Sequence, residues 1–353
     1  MSETPYVPVL PVRKFAVQAH RMLHPPIRHA MFPLWTLHPC PGVSPKDAEE
    51  HLRPLLADVG KCQAGRPGWI DASALEDGQW SRLLPALVEL VEFCSLRPVV
   101  TVGRHPHDPK QGIPGVIGGD SGELGIRVRV PGEWRESSAE VVRTLVGRLD
   151  PATRVDLLLD LSVVSGDRPE AAKEALRALD ALVPLASWRT VVVLAGGFPE
   201  PAPVSAGYEW VEEARTERLV WREVLAAGRA YSPLLAPGDY AVRSPSVLEA
   251  PVRDQGEKRH TGTLRYTTED SFVICRMWHR GRRRDEMNRE TLRRLVGLPE
   301  FRGTAAGAGE TWLWNAARGH DDFGGPVGTG AHADWIRIGT VQHLTRAVRE
   351  RHG

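Results

Sequence analysis

Short apolar runs alternate with longer segments of helical periodicity along most of the chain. A parallel strand covered on both faces reads as a brief continuous apolar run, whereas an amphipathic helix repeats apolar residues every three or four positions. The runs that fit strands, in chain order, are YVPVL, AMFPLWTL, GWIDAS, RPVVTVG, ELGIRVRV, RVDLLLDLSVV, RTVVVLAGG and AYSPLLA. This alternation predicts successive βα units around one parallel sheet.

Eight strand candidates between Tyr6 and about Ala236 match the roughly 250 residues of a (β/α)8 barrel. A doubly wound sheet, which usually has fewer strands, is the alternative architecture. The segment 208–228 predicts a helix between the seventh and eighth strands. The Gly- and Pro-rich segment 105–122 predicts a loop or a degenerate helix. The fold class we expect is therefore α/β, a TIM-like barrel.

The rhythm changes beyond Ser244. The segment GTLRYTTEDSFVICRMW holds two β-like runs separated by Glu269 and Asp270, which predicts a hairpin. Helical patterns follow over 284–296 and 334–352. We therefore expect a barrel over 1–243 and a C-terminal hairpin-plus-helix appendage over 244–353, packed on the barrel mouth.

The composition of the chain disfavours several classes of protein but does not indicate a particular reaction. The 45 basic and 44 acidic side chains nearly cancel, so no global field draws the chain to nucleic acid or to an anionic membrane. The four cysteines form no CxxC pair, which disfavours a zinc ribbon and a disulfide framework. No segment reaches the roughly 20 apolar residues that span a bilayer, so we expect a cytoplasmic protein without membrane contact.

Acidic residues at strand ends are the first candidates for chemistry, because the loops after barrel strands build the active sites of this fold. The candidate catalytic residues are Asp71, Asp160 and Asp239. Asp160 interrupts the run LLLDLSVV, where a carboxylate is costly to bury without a partner or a function. The competing interpretation is that Asp160 only pairs with an arginine of a neighbouring strand.

Two arginines of the fifth strand are the candidate anion ligands. Strand alternation puts Arg127 and Arg129 on one side, opposite Ile126 and Val128, so both point either into the mouth or toward a helix. In the mouth they would bind phosphate or carboxylate, and two nearby acids could act as acid and base or hold a divalent metal. The alternative is a plain ion pair between Arg129 and Asp160.

Three further motifs are weaker. His105, His107 and Asp108 are metal-ligand residue types, but the prolines around them favour an exposed loop. GGDSGELG lacks the ending of a phosphate-binding loop, so a turn is favoured. The basic stretch Arg280–Arg284 could track the phosphates of a nucleic acid, although a solvated loop is the commoner outcome.

The order of several short motifs resembles the bacteriophage-type "beta protein" family. These motifs are YVPVL, WIDAS, GIRVRV, VDLLLDLS, GDYAV, LRYT and the closing WIRIGTVQHLT. The resemblance spans nearly the whole chain and rests on order and spacing. The resemblance implies a barrel-like α/β fold. Members of this family occur in phages and bacteria, sometimes in settings suggestive of phage conflict, and the family implies no particular biochemical activity.

Position by position, the resemblance draws attention to the strand-end residues and to a second group in the appendage. The full set is Asp71, Arg129, Asp160, Asp239, Tyr240, Arg265, Tyr266 and His343. It implies that Tyr240, Arg265, Tyr266 and His343 contribute to substrate binding, with the appendage folded over the barrel mouth. The chain departs from the family where a lysine is expected after the first strand and Pro11 stands instead.

Two functional hypotheses follow. The first is an enzyme acting on a phosphate-containing or nucleotide-like anion at the barrel mouth, in the setting of phage–host conflict. The second is a non-catalytic binding or assembly subunit of a phage-defence module, with a protein partner. Cofactors stay open, a divalent metal among them. A glycosidase is a third hypothesis, since barrels often carry paired carboxylates.

Overall fold

A computed structural model describes residues 4–63, 65–102, 122–199, 209–249 and 261–352. Its backbone contacts divide the chain into two compact units. The barrel unit comprises 1–13, 31–197 and 216–252, and the second unit comprises 14–30, 198–215 and 253–353. The expected division into a barrel over 1–243 and an appendage over 244–353, packed on the barrel mouth, stays a prediction.

The described residues form eleven strands and eleven α-helices. The strands are β1 Val7–Pro11, β2 Leu34–Thr36, β3 Gly68–Asp71, β4 Leu96–Val102, β5 Glu123–Arg129, β6 Arg154–Val163, β7 Thr190–Gly196, β8 Trp210–Ala214, β9 Leu235–Asp239, β10 Thr261–Thr267 and β11 Ser271–Trp278. The helices are α1 Lys14–Met22, α2 Pro25–His29, α3 Pro45–Gln63, α4 Asp77–Cys94, α5 Glu136–Val146, α6 Ala171–Leu182, α7 Thr216–Ala226, α8 Pro245–Glu249, α9 Arg284–Val296, α10 Ala308–Arg318 and α11 His332–His352.

Eight parallel strands close the barrel in the order β1-β2-β3-β4-β5-β6-β7-β9. The last strand bonds to both β7 and β1, so the ring has no free edge. The (β/α)8 prediction is thereby confirmed, and the doubly wound alternative is excluded. None of the described helices combines the length and the apolar character that crossing a bilayer requires.

The barrel strands show two faces. In β6, Leu157, Leu159 and Leu161 pack outward with the buried faces of α5 and α6. Leu158 points inward, into a cluster with side chains of β1, β2, β3, β7 and β9. Because side chains alternate along a strand, Asp156 and Asp160 share the inner face with Leu158. The inward side chains at the carboxyl ends of the strands therefore lie together at one end of the barrel, which we call the barrel mouth.

The second unit is built on a three-stranded antiparallel sheet of order β10-β11-β8. The hairpin prediction is confirmed, with Arg265 opposite Ile274 in the register. Helices α9, α10 and α11 cover the sheet and share one apolar cluster with it. The helices predicted over 284–296 and 334–352 are also confirmed, as α9 and α11.

Two boundaries differ from the prediction. The sequence predicts a helix over 208–228, but Trp210–Ala214 is strand β8 and only Thr216–Ala226 is helical. The free edge of β11 binds this segment, and tertiary pairing overrides the helical propensity of Glu and Ala. The eighth barrel strand also lies later than AYSPLLA, at Leu235–Asp239, because Ser232–Leu234 forms a 3-10 turn.

Candidate functional site

The three candidate aspartates share one local contact with the backbone. Asp71 Oδ1 accepts the backbone N–H of Ser73 at 2.9 Å, and Asp160 Oδ1 accepts that of Ser162 at 2.9 Å. Asp239 Oδ1 accepts the N–H of Ala241 at 2.7 Å. Asp71 and Asp239 thus cap the turns that follow their strands, as Asx turns do. Asp160 instead binds an irregular stretch inside β6, where the register shifts between Asp160 and Val163.

Arg127 lies at the centre of the barrel mouth, between two of these aspartates. Its Nη1 donates to Asp71 Oδ2 at 2.7 Å. Its Nε and Nη2 donate to Asp160 Oδ2 at 3.1 and 2.7 Å, and Nη2 also donates to the Tyr240 hydroxyl at 2.7 Å. Four of its five N–H groups therefore have acceptors in the described part of the chain. The fifth, on Nη1, is left for another acceptor.

Tyr240 and Arg129 complete this group around Asp160. The Tyr240 hydroxyl donates to Asp160 Oδ1 at 2.8 Å, and Arg129 Nε lies 3.7 Å from Asp160 Oδ2. Thr101 Oγ1 donates to Asp71 Oδ2 at 3.1 Å. We call Asp71, Arg127, Asp160 and Tyr240 the mouth cluster; all four are buried. Of the two orientations that strand alternation allowed for Arg127 and Arg129, the inward one brings their charges to these acids.

Electrostatics keep the two aspartates of the mouth cluster ionised. Burial raises the pKa of Asp71, but the positive charge of Arg127 and hydrogen bonds from Ser73 outweigh it, so the pKa lies below its ordinary value. The pKa of Asp160 is lowered in the same way, with burial opposed by Arg127 and then by Arg129. Both carboxylates are therefore charged at neutral pH, which suits them to orient and balance charge.

A small cavity of about 10 Å³ adjoins the mouth cluster. Its lining residues are Val9, Thr36, Leu37, His38, Asp71, Ala74, Arg127, Tyr240 and Leu248. The volume suffices for about one water molecule. Leu248, from α8, is fully buried at this cavity and helps to close it.

Sequence reasoning missed Thr36 and His38, although both lie where strand β2 ends. Thr36 Oγ1 lies 3.0 Å from His38 Nε2, within hydrogen-bonding distance. Histidine is the side chain whose ordinary pKa lies nearest neutrality, so His38 is the residue of this cavity best suited to move a proton. The strand-end rule applied to AMFPLWTL, which is followed directly by His38, would have found it.

Asp239 forms a separate pair beside the mouth cluster. It accepts a hydrogen bond from the Tyr6 hydroxyl at 2.7 Å, and both residues are buried. Tyr6 precedes β1, and β1 pairs with β9, the strand that ends at Asp239. This bond therefore ties the first strand to the last at the seam where the barrel closes.

A second ionic network occupies the opposite end of the barrel. Asp156, fully buried, accepts hydrogen bonds from Trp69 Nε1 at 3.0 Å and from Arg189 Nη2 at 2.6 Å. Arg97 lies between Asp156 and Glu123, at 3.3 and 2.6 Å. Polar groups at the amino-terminal end of a barrel typically serve stability, so we assign this network no chemistry.

Three predicted site residues lie in the second unit. The Arg265 guanidinium lies 4.7 Å from the Phe198 ring centroid, and His343 Nδ1 lies 3.0 Å from Thr267 Oγ1. Tyr266, adjacent to Arg265, faces the other side of the sheet and belongs to the apolar cluster, where its hydroxyl donates to the Glu300 carbonyl at 3.2 Å. Their predicted contribution to the barrel site stays a prediction.

The remaining sequence candidates add nothing to the mouth. His105, His107 and Asp108 lie outside the described residues. Arg280, Arg282 and Arg283 are exposed, in the turn before α9 and at its start. In the described ranges, no group of three or more His, Cys, Asp or Glu side chains is placed to hold a metal ion.

Comparison with known proteins identifies the family of the chain. No match is found among the curated proteins. A family model described as Beta protein matches residues 6–349, nearly the whole chain. The chain therefore belongs to the beta protein family.

Proposed function

We propose that this protein is an enzyme that acts on a phosphate-containing or nucleotide-like anion at the barrel mouth, in the setting of phage–host conflict. The observation that carries the proposal is the mouth cluster, a buried set of opposite charges at the carboxyl ends of the barrel strands. Apolar residues of similar volume often stabilise a fold as well as buried ion pairs do. Charges retained at this end of a barrel therefore favour a role in chemistry.

The residues at the barrel mouth have distinct proposed roles in binding and catalysis. Arg127, one of whose N–H groups has no acceptor among the described residues, and Arg129 supply positive charge for an anion. Asp71 and Asp160 hold Arg127 in place and stay ionised, so they orient rather than donate protons. His38 acts as the general acid or base that transfers a proton to or from the substrate, since it lines the same cavity. Entry of a phosphate group requires the cavity to widen beside Leu248.

A second candidate is a non-catalytic binding or assembly subunit of a phage-defence module. One observation favours it: the oxygens of Asp71 and Asp160 already accept hydrogen bonds from groups of the barrel itself. A cluster satisfied in this way needs no substrate to explain it. The two candidates differ in whether loss of mouth charge removes ligand binding while the fold is retained.

Calorimetric titration with inorganic phosphate and with adenosine 5′-monophosphate tests the first candidate. Arg129→Ala should weaken binding of at least one of these anions by about tenfold, the loss expected for one charge-assisted hydrogen bond. Arg222→Ala, an exposed arginine on α7, is the matched control and should bind as the wild type does. If the wild type binds neither anion, or if Arg129→Ala binds both unchanged, the proposal is wrong.

A further inference from the structure

The charge of the molecule is divided unevenly between its two units. Basic side chains exceed acidic ones by five in the second unit, and acidic ones exceed basic ones by four in the barrel unit. The net charge of +1 for the whole chain conceals this asymmetry. A polyanion would therefore be attracted to the second unit and repelled by the barrel unit.

The positive excess is concentrated in residues 276–294, which we call the arginine segment. It holds eight arginines against Asp285, Glu286 and Glu290. It comprises the end of β11, a short turn and most of α9. The excess of five in this one stretch equals that of the whole unit, so the field has a local source.

Two arginines at the turn are available to a ligand. Arg283 and Arg284 are paired with Glu286 and Asp285, at 2.9 and 3.0 Å. Arg280 and Arg282 are exposed, and neither has an ion-pair or side-chain hydrogen-bond partner within the described ranges. Their guanidinium groups can therefore contact phosphate without first breaking an internal pair.

The turn that carries them is held at its base. Asn288 is fully buried; its Oδ1 accepts the N–H of Trp278 at 2.6 Å, and its Nδ2 donates to the carbonyl of Trp278 at 2.9 Å. Arg284 Nε donates to the same carbonyl at 3.1 Å. Gly281 has φ of 112°, which glycine adopts without strain. A turn fixed in this way loses little conformational entropy on binding.

The local positive potential acts on a neighbouring histidine. The pKa of His279 is lowered by burial first, and then by the charges of Arg284 and Arg280. The His279 ring also packs against Trp335, with ring centroids 4.8 Å apart and the planes tilted by 35°. The arginines of the turn are therefore close enough to act together on one point.

We propose that the arginine segment binds the phosphate backbone of a nucleic-acid duplex, without sequence preference. Guanidinium groups suit phosphate oxygens, and backbone neutralisation suffices for non-specific binding. A single strand would be favoured instead by a platform of exposed aromatic rings. The arginine segment offers only Trp278, which is partly buried.

Fluorescence anisotropy with a labelled 20-base-pair DNA duplex, from 50 to 200 mM salt, tests this proposal. Four phosphate contacts, one for each arginine of Arg280–Arg284, should give a slope of log affinity against log salt of about −3.6, so affinity should fall about 150-fold over this range. Replacing both Arg280 and Arg282 by glutamate should reduce the slope to about −1.8. At 50 mM salt the same double variant should bind at least about tenfold more weakly.

The matched control replaces Arg135 and Arg222, two exposed arginines of the barrel unit, by glutamate. It changes net charge equally and should bind the duplex as the wild type does. Equal loss in both double variants would overturn the proposal, because total charge alone would then explain binding. Absence of wild-type binding, equal binding of a 20-nucleotide single strand, or tighter binding to vesicles containing phosphatidylserine would overturn it as well.

Discussion

The candidate aspartates of β3, β6 and β9 each have a backbone role as well as a charge. Asp71, Asp160 and Asp239 all accept the N–H two residues further on. Ser162 and Ala241, whose N–H groups donate to Asp160 and Asp239, have φ of 57° and 50°, in the left-handed region. Non-glycine residues held there store local strain, which tends to accumulate near functional sites.

Ser162 provides a test of that strain. Ser162→Gly should raise the free energy of unfolding by roughly 0.5–1 kcal/mol, because glycine adopts the left-handed conformation without the Cβ penalty. Urea denaturation followed by circular dichroism measures the change. The control is Ser81→Gly on the exposed face of α4, which should lower the same free energy by a similar amount. A loss of stability in Ser162→Gly would show that the turn carries no strain.

Sequence reasoning identified the acids and arginines of the mouth but not their main pairing. Arg129 is the register neighbour of Asp160, and their pairing is the simple ion pair weighed as an alternative. The structure places Arg129 Nε 3.7 Å from Asp160, whereas Arg127 Nη2 approaches to 2.7 Å. A long side chain reaches diagonally along a strand, so backbone register alone does not decide which partner is closer.

At the scale of elements, the barrel was predictable because its strands are buried on both faces and read as unbroken apolar runs. Strand β8 was not predictable in this way. WVEEA carries no continuous apolar run, and its strand state depends on pairing with β11, some 60 residues further along the chain. His38, by contrast, was within reach of the strand-end rule, because it directly follows the predicted run AMFPLWTL.

Closure of the barrel depends on a glycine in the last strand. Gly238 pairs with Val7 of β1 and with Leu194 of β7, and a Cβ on Gly238 would overlap the Val7 carbonyl and the Leu194 side chain. Gly238→Ala should therefore lower the free energy of unfolding by about 1–3 kcal/mol, the usual cost of overpacking.

Thermal unfolding compares Gly238→Ala with Gly166→Ala, where a Cβ would meet open space. The control should retain the wild-type melting temperature or exceed it slightly, since alanine restricts the unfolded chain. A Gly238→Ala protein as stable as the control would mean that the seam between β1, β9 and β7 tolerates a wider spacing.

At the scale of the whole molecule, the division into oppositely charged units was hidden from the sequence. The net charge of +1 suggested no electrostatic attraction, because the second unit collects segments from three separate parts of the chain. The alternation of strands and helices along the sequence predicted the barrel fold, and with it a site at the carboxyl ends of the strands. The reaction did not, because it depends on distances between side chains of different strands.

Two aspartates of β6 allow the central claim to be tested within one strand. Asp160 and Asp156 share the inner face, are both fully buried and both lie in ionic networks, but at opposite ends of the barrel. Replacing either by asparagine should destabilise the fold through an unbalanced buried arginine. Each variant is therefore studied at a temperature where it is folded by circular dichroism.

The decisive measurement is calorimetric binding of inorganic phosphate and adenosine 5′-monophosphate by Asp160→Asn and Asp156→Asn. We expect Asp156→Asn to bind within about threefold of the wild type. Asp160→Asn should lose at least about tenfold in affinity, because Arg127 is no longer held in place at the mouth. Folded Asp160→Asn protein with wild-type affinity for both anions would contradict the assignment of function to the mouth cluster.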